Sequence, residues 1–315
     1  MKIAILDANT LGEDIDLACL QAIGQVIAYP ATAPAEVADR LRDVDCVIVN
    51  KVRIGESVLA HANRLKLICV AATGYDNICL TDVKARGIAV CNVVGYSTHS
   101  VAQLTLSMVL SLAMHLPAYN RFVESGAYSS SGVANCLVPV YHELAGRTWG
   151  IVGCGNIGRR VAAVAEAIGC RVIVCKRKPD PAYTCVDIDT LCREADVITV
   201  HTPLTPETEN LLSKERIALM KPNAIVVNVA RGAVCDEAAL CQAVSEGRLG
   251  GLGIDVYTQE PFPTDSPYSA VMHMDNVCLT PHMAWGAYEA RSRCMNEICE
   301  NIKAFLRGEK RNRLV

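Results

Sequence analysis

Short apolar runs alternate along this chain with stretches in which apolar residues recur at helical spacing. The runs at Lys2–Asp7, Val26–Tyr29, Cys46–Asn50, Leu67–Val70 and Ala89–Cys91 predict one series of strands. A second series is predicted at Thr148–Val152, Arg171–Cys175, Val197–Val200, Ala224–Asn228, Gly251–Asp255 and Val277–Leu279. Nearly continuous apolar strands joined by helices belong to parallel sheets, because the crossover helices cover both faces. Two series therefore predict an α/β protein with two doubly wound parallel sheets. Long helices are predicted over Ser97–Met114 and Tyr288–Leu306. From Pro117 to Gly146 periodicity is lost, and the segment GAYSSSG within it predicts a loop or extended arm.

Composition narrows this picture. The 315 residues suffice for two cores, and 51% of them are apolar. Thirty basic against 33 acidic residues give no electrostatic case for nucleic acid or an anionic membrane as partner. Asp7 interrupts the apolar run of MKIAILD, which reads as a strand rather than a leader peptide. The longest apolar stretch, Leu104–Leu116, holds Thr105, Ser107, Ser111 and His115 and is too short to span a bilayer. A soluble, cytoplasmic protein is the expectation. The sixteen cysteines form no CxxC pair, and most lie inside apolar patterns, as Cys46, Cys69, Cys91 and Cys278 do. Buried reduced thiols are expected, and no metal site.

The strongest local motif is VGCGNIG, which sets Gly153, Gly155 and Gly158 in a GxGxxG pattern between an apolar strand and a helical stretch. That context predicts dinucleotide binding. Gly153 permits the turn, Gly155 lets backbone amides approach a pyrophosphate, and Gly158 allows close packing of helix on sheet. Asn156 and Ile157 begin the helix, whose N-terminus offers N–H groups and partial positive charge to phosphate. At the end of the next strand, NAD-binding units usually place an acid for the ribose hydroxyls. Here Cys175 is followed by Lys176, Arg177 and Lys178, with no carboxylate among them. Cations at that position suit a 2′-phosphate, so NADP(H) is favoured, with NAD(H) as the alternative.

Three further segments fall just past predicted strands: NVARG (228–232), GIDVYTQEP (253–261) and LTPHMAW (279–285). With the glycine loop, and in this order, they resemble the D-isomer-specific 2-hydroxyacid dehydrogenase family along nearly the whole chain. AATGYDNI (71–78) and GYSTHSVAQ (95–103) are similar to its glycerate dehydrogenase, or hydroxypyruvate reductase, branch. The resemblance implies a smaller substrate domain (1–95 plus 288–315), an inserted NAD(P)-binding domain (96–287) and a cleft between them. The substrate implied is a small 2-oxo or D-2-hydroxy acid, with hydroxypyruvate or glyoxylate favoured.

Carried over by motif, Arg231 would bind the substrate carboxylate, which a guanidinium grips with defined geometry. His282 would be the general acid–base, a role that suits imidazole near neutral pH. Glu260 would orient His282 and favour its protonated form. Asp255 would contact the nicotinamide carboxamide, and Thr73 and Gly74 would add amides to the carboxylate site. His201, in HTPLTPET, falls in a segment that flanks the cofactor in the family. Three positions depart from the common pattern: Gln103 in place of a frequent Glu, Cys154 within the glycine loop, and Lys176 in place of the usual acid. The arm over 117–146 resembles the family's dimerisation arm, which implies a homodimer. Lactate, aromatic 2-oxo acids and phosphoglycerate are alternative substrates. Some members act instead as cofactor-sensing corepressors, a role that usually needs docking surface or tails beyond a compact chain like this one.

Overall fold

The computed structural model describes residues 1–315, which divide into two compact units. One comprises Met1–Ser97 and Gly286–Val315, the other Thr98–Trp285. The first contains β1 (Lys2–Ile5), β2 (Gln25–Ala28), β3 (Cys46–Val49), β4 (Leu67–Val70) and β5 (Ala89–Cys91). They form a parallel sheet in the order β2-β1-β3-β4-β5, a doubly wound, flavodoxin-like arrangement. β3 and β4 are buried along their whole length, as strands covered on both faces must be. The helix Tyr288–Leu306 packs against β4 through a stripe that includes Ala290, Cys294, Ile298 and Ile302. At the end of β1, buried Asp7 accepts the amides of Asn50, Lys51 and Val52 and so shapes the turn after β3.

One expectation about the cysteines needs correction. Cys19, on the short helix Ala18–Gln21, forms a disulfide with Cys299 on the terminal helix. The partners are 280 residues apart in sequence with Cα atoms 6.3 Å apart, so spacing along the chain carries no sign of the pair. The other fourteen cysteines are free thiols, nine of them buried, as their apolar surroundings predict.

The second unit contains β6 (Thr148–Val152), β7 (Arg171–Cys175), β8 (Thr184–Cys185), β9 (Val197–Val200), β10 (Ala224–Asn228), β11 (Leu249–Ile254) and β12 (Val277–Leu279). Their order is β12-β11-β10-β9-β6-β7-β8, parallel throughout. Counted from β6, this is the order of a Rossmann sheet with a seventh strand at one edge. The helix Thr98–Ala113 packs on the helix Asn156–Ala167 and across β10 and β11. Glycines in β11 make room for it: a Cβ at Gly251 would lie 3.1 Å from Leu112, and one at Gly253 would lie 3.3 Å from Met108. No single helix in either unit is long and apolar enough to cross a membrane.

Two features escape the sequence pattern. The two-residue strand β8 is too short to show a period. The stretch expected to be irregular over 117–146 instead opens with helices Leu116–Glu124 and Ala127–Ser131. Pro117 sits in the first turn of the former, where its missing N–H costs nothing and its fixed φ favours the helix.

Candidate active site

In a parallel sheet all C-terminal strand ends lie along one edge, and the order in which strands are added reverses about β6, which sits between β7 and β9. Ligands of open α/β sheets bind beyond such a switch point. The loop after β6 is the glycine motif. Gly153 has φ +88° and passes so close to the β9 loop that a Cβ would lie 2.7 Å from the Thr202 nitrogen. Gly158 leaves no room for a Cβ beside the Gly153 carbonyl. Gly155 differs: its φ is ordinary, and a Cβ there would meet nothing within 4 Å. The open space lies where the helix Asn156–Ala167 starts, with no side chain capping it. Helix N-terminus, tight turn and open cradle together fit a dinucleotide pyrophosphate.

The strand end that follows corrects a sequence expectation. Lys176, Arg177 and Lys178 leave β7 as expected, but a carboxylate does stand among the cations, at Asp180. Its side chain is only 7% exposed and pairs with Arg159 at 2.5 Å and Lys176 at 3.2 Å. It also accepts the Ala182 amide at 3.2 Å. That amide above all, with Lys176 and Arg159 assisting, holds the Asp180 carboxyl below the usual carboxylate range. Lys176 in turn donates to the carbonyl of Cys154 at 3.4 Å, which places the cluster against the glycine loop. Arg177 and Lys178 are exposed.

After β9, His201 donates its amide to the Val152 carbonyl at 2.7 Å, beside the glycine loop. Both its ring nitrogens are shielded from solvent and have no hydrogen-bond partner. Burial pushes its pKa down to about 3, so the ring is neutral.

The remaining candidates lie past β10, β11 and β12. Asn228, buried at the end of β10, accepts the Ala230 amide and donates to the Arg231 carbonyl, a brace for the turn that presents Arg231. Gly232 then passes so near Tyr257 and Thr258 that no side chain could stand there, which joins the Arg231 turn to the loop after β11. In that loop Glu260 faces His282: Nδ1 of the imidazole lies 2.8 and 2.7 Å from the two carboxylate oxygens. The His282 and Glu260 side chains remain 19% and 28% exposed, so a reactant can reach them. His282 adopts φ +53°, the sparsely populated left-handed region. Backbone of this kind persists where its surroundings over-determine it, and it clusters at functional sites.

Asp255 supplies that over-determination. The residue is fully buried, and its carboxylate accepts Thr280 Oγ1 (2.6 Å), the Met283 amide (2.8 Å) and the Ala284 amide (2.9 Å). Burial raises its pKa despite these bonds. Tyr257 adds a further tie, donating its hydroxyl to the Thr280 carbonyl at 2.9 Å. The geometry thus directs Asp255 toward the loop that carries His282 rather than toward solvent. In the other unit, Thr73 is exposed just past β4, with its hydroxyl on the Val93 carbonyl at 2.8 Å. Gly74 follows it. Sequence reasoning passed over Asp180, Asn228 and Thr280. Only the Lys176–Asp180 spacing of four residues offered a signal for any of them.

Residues 106–284 match the family model described as D-isomer specific 2-hydroxyacid dehydrogenase, NAD binding domain. The chain is 36% identical to a glycerate dehydrogenase of Methylorubrum extorquens over 285 residues, covering 90% of each. It is 34% identical to a hydroxypyruvate reductase of Blautia hydrogenotrophica, covering 99% of each. Among solved structures, an acyclic imino acid reductase (Bsp5) in complex with NADPH and D-Arg superposes with a TM-score of 0.86 over the full length of both chains, at 28% identity. The chain therefore belongs to the D-isomer specific 2-hydroxyacid dehydrogenase family, and is an NAD(P)-dependent oxidoreductase.

Proposed function

We propose that this enzyme reduces a small 2-oxo acid to the D-2-hydroxy acid, with hydroxypyruvate or glyoxylate favoured. The observation that carries the proposal is the His282–Glu260 pair, set at the strand edge that also bears Arg231 and the glycine loop. Bound nicotinamide coenzyme supplies the hydride. Arg231 holds the substrate carboxylate, and His282 gives a proton to the carbonyl oxygen as the carbon is reduced. With Nδ1 against Glu260, the proton transfer falls to Nε2, and the carboxylate holds the ring in that orientation. Asp255 keeps the 280–284 loop in place, a different duty from the carboxamide contact that the family resemblance implies. Names of relatives support the substrate class: one is a glycerate dehydrogenase and another a hydroxypyruvate reductase.

NADP(H) is the preferred coenzyme in this reading, and NAD(H) is also accepted. Support comes from Lys176 and Arg159, gathered on Asp180 with Lys176 against the glycine loop, and from Arg177 and Lys178, exposed just past β7, although Glu207 lies close enough to Arg177 to offset part of its charge. A homodimer is proposed from the exposed apolar side chains of Leu116, Val123, Val133, Leu137, Val138 and Val140, all on one contiguous segment.

The test is a substrate panel of hydroxypyruvate, glyoxylate, pyruvate and phenylpyruvate with NADH and NADPH, read as loss of nicotinamide absorbance. Fast turnover of either of the first two is expected, and His282→Ala should lower kcat by about a hundredfold. A loss below tenfold would remove His282 from the chemistry. Coenzyme binding without turnover of any 2-oxo acid would replace the enzyme reading with a sensor.

A further inference from the structure

We propose that Asp180 is the residue that sets coenzyme preference, as a built-in anion that competes with the 2′-phosphate for Lys176 and Arg159. The inference rests on the coenzyme site assigned above and concerns how that site discriminates. Three observations carry it. The carboxylate is nearly buried at 7% exposure, yet bridges two cations that come from different elements, Lys176 after β7 and Arg159 in the first turns of the glycine-loop helix. Lys176 reaches the glycine loop itself, at the Cys154 carbonyl. The backbone fixes the carboxylate through Ala182, so the charge is anchored to the loop rather than borne on a mobile side chain.

The consequence for binding follows from charge. An adenosine ribose at the end of β7 brings either a hydroxyl or a phosphate to its 2′ position. A hydroxyl can donate to a carboxylate, so Asp180 is compatible with NAD(H). A phosphate gains Lys176 and Arg159 only by sharing them with Asp180, against the like-charge repulsion of that carboxylate. Exposed Arg177 and Lys178 offset part of that repulsion. The expected phenotype is a modest preference between the two coenzymes, held in check by one residue.

Probes that lack nicotinamide isolate this effect from catalysis: 5′-AMP and adenosine 2′,5′-bisphosphate, titrated calorimetrically into the full-length protein. Asp180→Asn keeps an acceptor for the Ala182 amide and removes the charge. It should tighten the bisphosphate by about tenfold or more, and leave 5′-AMP unchanged or weaker. Asp180→Glu, which keeps the charge, should hold the ratio near that of the unsubstituted protein. If D180N fails to fold, Asp180→Ser makes the same comparison. Equal shifts for both probes would show that Asp180 merely shapes the loop, and the proposal would fall. A parent protein that binds 5′-AMP more tightly than the bisphosphate would refute the NADP(H) preference alone. The Asp180 assignment would then stand if D180N narrows or inverts that ratio, and fall if it does not.

Discussion

His201 allows a sharp test of the second unit's electrostatics. Its ring nitrogens are shielded and unpartnered, and burial lowers its pKa to about 3. In the unfolded chain a histidine titrates near ~6.5. Between those values the unfolded chain carries one more proton than the folded one, so stability rises with pH across that window. Above the upper value both states are neutral and the contribution is flat. Stability is therefore lost as pH falls below ~6.5, by about 1.4 kcal/mol per unit until the folded ring itself titrates. From pH 8 to pH 5 the loss due to this one ring is about 2 kcal/mol, set almost entirely by the unfolded-state pKa.

The sequence contains two tryptophans, and both Trp149 and Trp285 lie in the unit that holds His201. Trp149 is fully buried on the neighbouring strand and donates to Thr199, two residues before the histidine. Tryptophan emission during urea unfolding thus reports this unit alone. The assay compares the unsubstituted protein with His201→Gln at pH 8 and pH 5, at matched ionic strength. Carboxylates common to both proteins cancel in the difference. The unsubstituted protein should lose about 2 kcal/mol more than the variant, on the order of 1 M in urea midpoint. Equal losses in the two proteins would refute the assignment of a buried, unpartnered imidazole.

Two further substitutions separate folding from binding. Gly155→Ala should leave the melting temperature nearly unchanged, since its Cβ meets nothing, and should weaken coenzyme binding at least about tenfold by standing where the pyrophosphate approaches. Gly153→Ala should instead destabilise the fold by at least about 1 kcal/mol, because both its φ of +88° and the Thr202 backbone oppose a side chain. Asp255→Asn turns an acceptor of three hydrogen bonds into a group whose NH2 faces donors. It should cost about 2–4 kcal/mol of stability and depress kcat while coenzyme Kd stays within about twofold. A large rise in Kd with kcat preserved would restore the coenzyme contact and refute the brace.

What the sequence discloses divides along physical lines. Strands such as Leu67–Val70 and Ala224–Asn228 are legible because burial on both faces demands unbroken apolar runs. The glycine loop is legible because its steric demands are local, imposed within seven residues. The helix Leu116–Glu124 is harder to see, since it buries none of its residues and starts at a proline. Asp180 is hidden for another reason. Its partner Arg159 lies across the β6–β7 unit, and only folding shows that a residue in a basic turn is buried with two cations.

The catalytic constellation is intermediate, and the topology explains why. His282 and Glu260 are 22 residues apart, and Asp255 stands 25 to 29 residues from the three groups that it holds. Those separations are the length of one strand-to-strand connection between β11 and β12, which are neighbours in the sheet. A parallel sheet brings the loop after one strand against the loop after the next, so polar residues just past successive strands become candidates for contact. That rule accounts for why motif order along the chain could anticipate the pairing of His282 with Glu260. It does not extend to orientation. The same rule would bring Asp255 near the 280–284 loop, yet whether its carboxylate faces a ligand or that loop's own amides depends on a left-handed turn at His282, which no apolar period encodes.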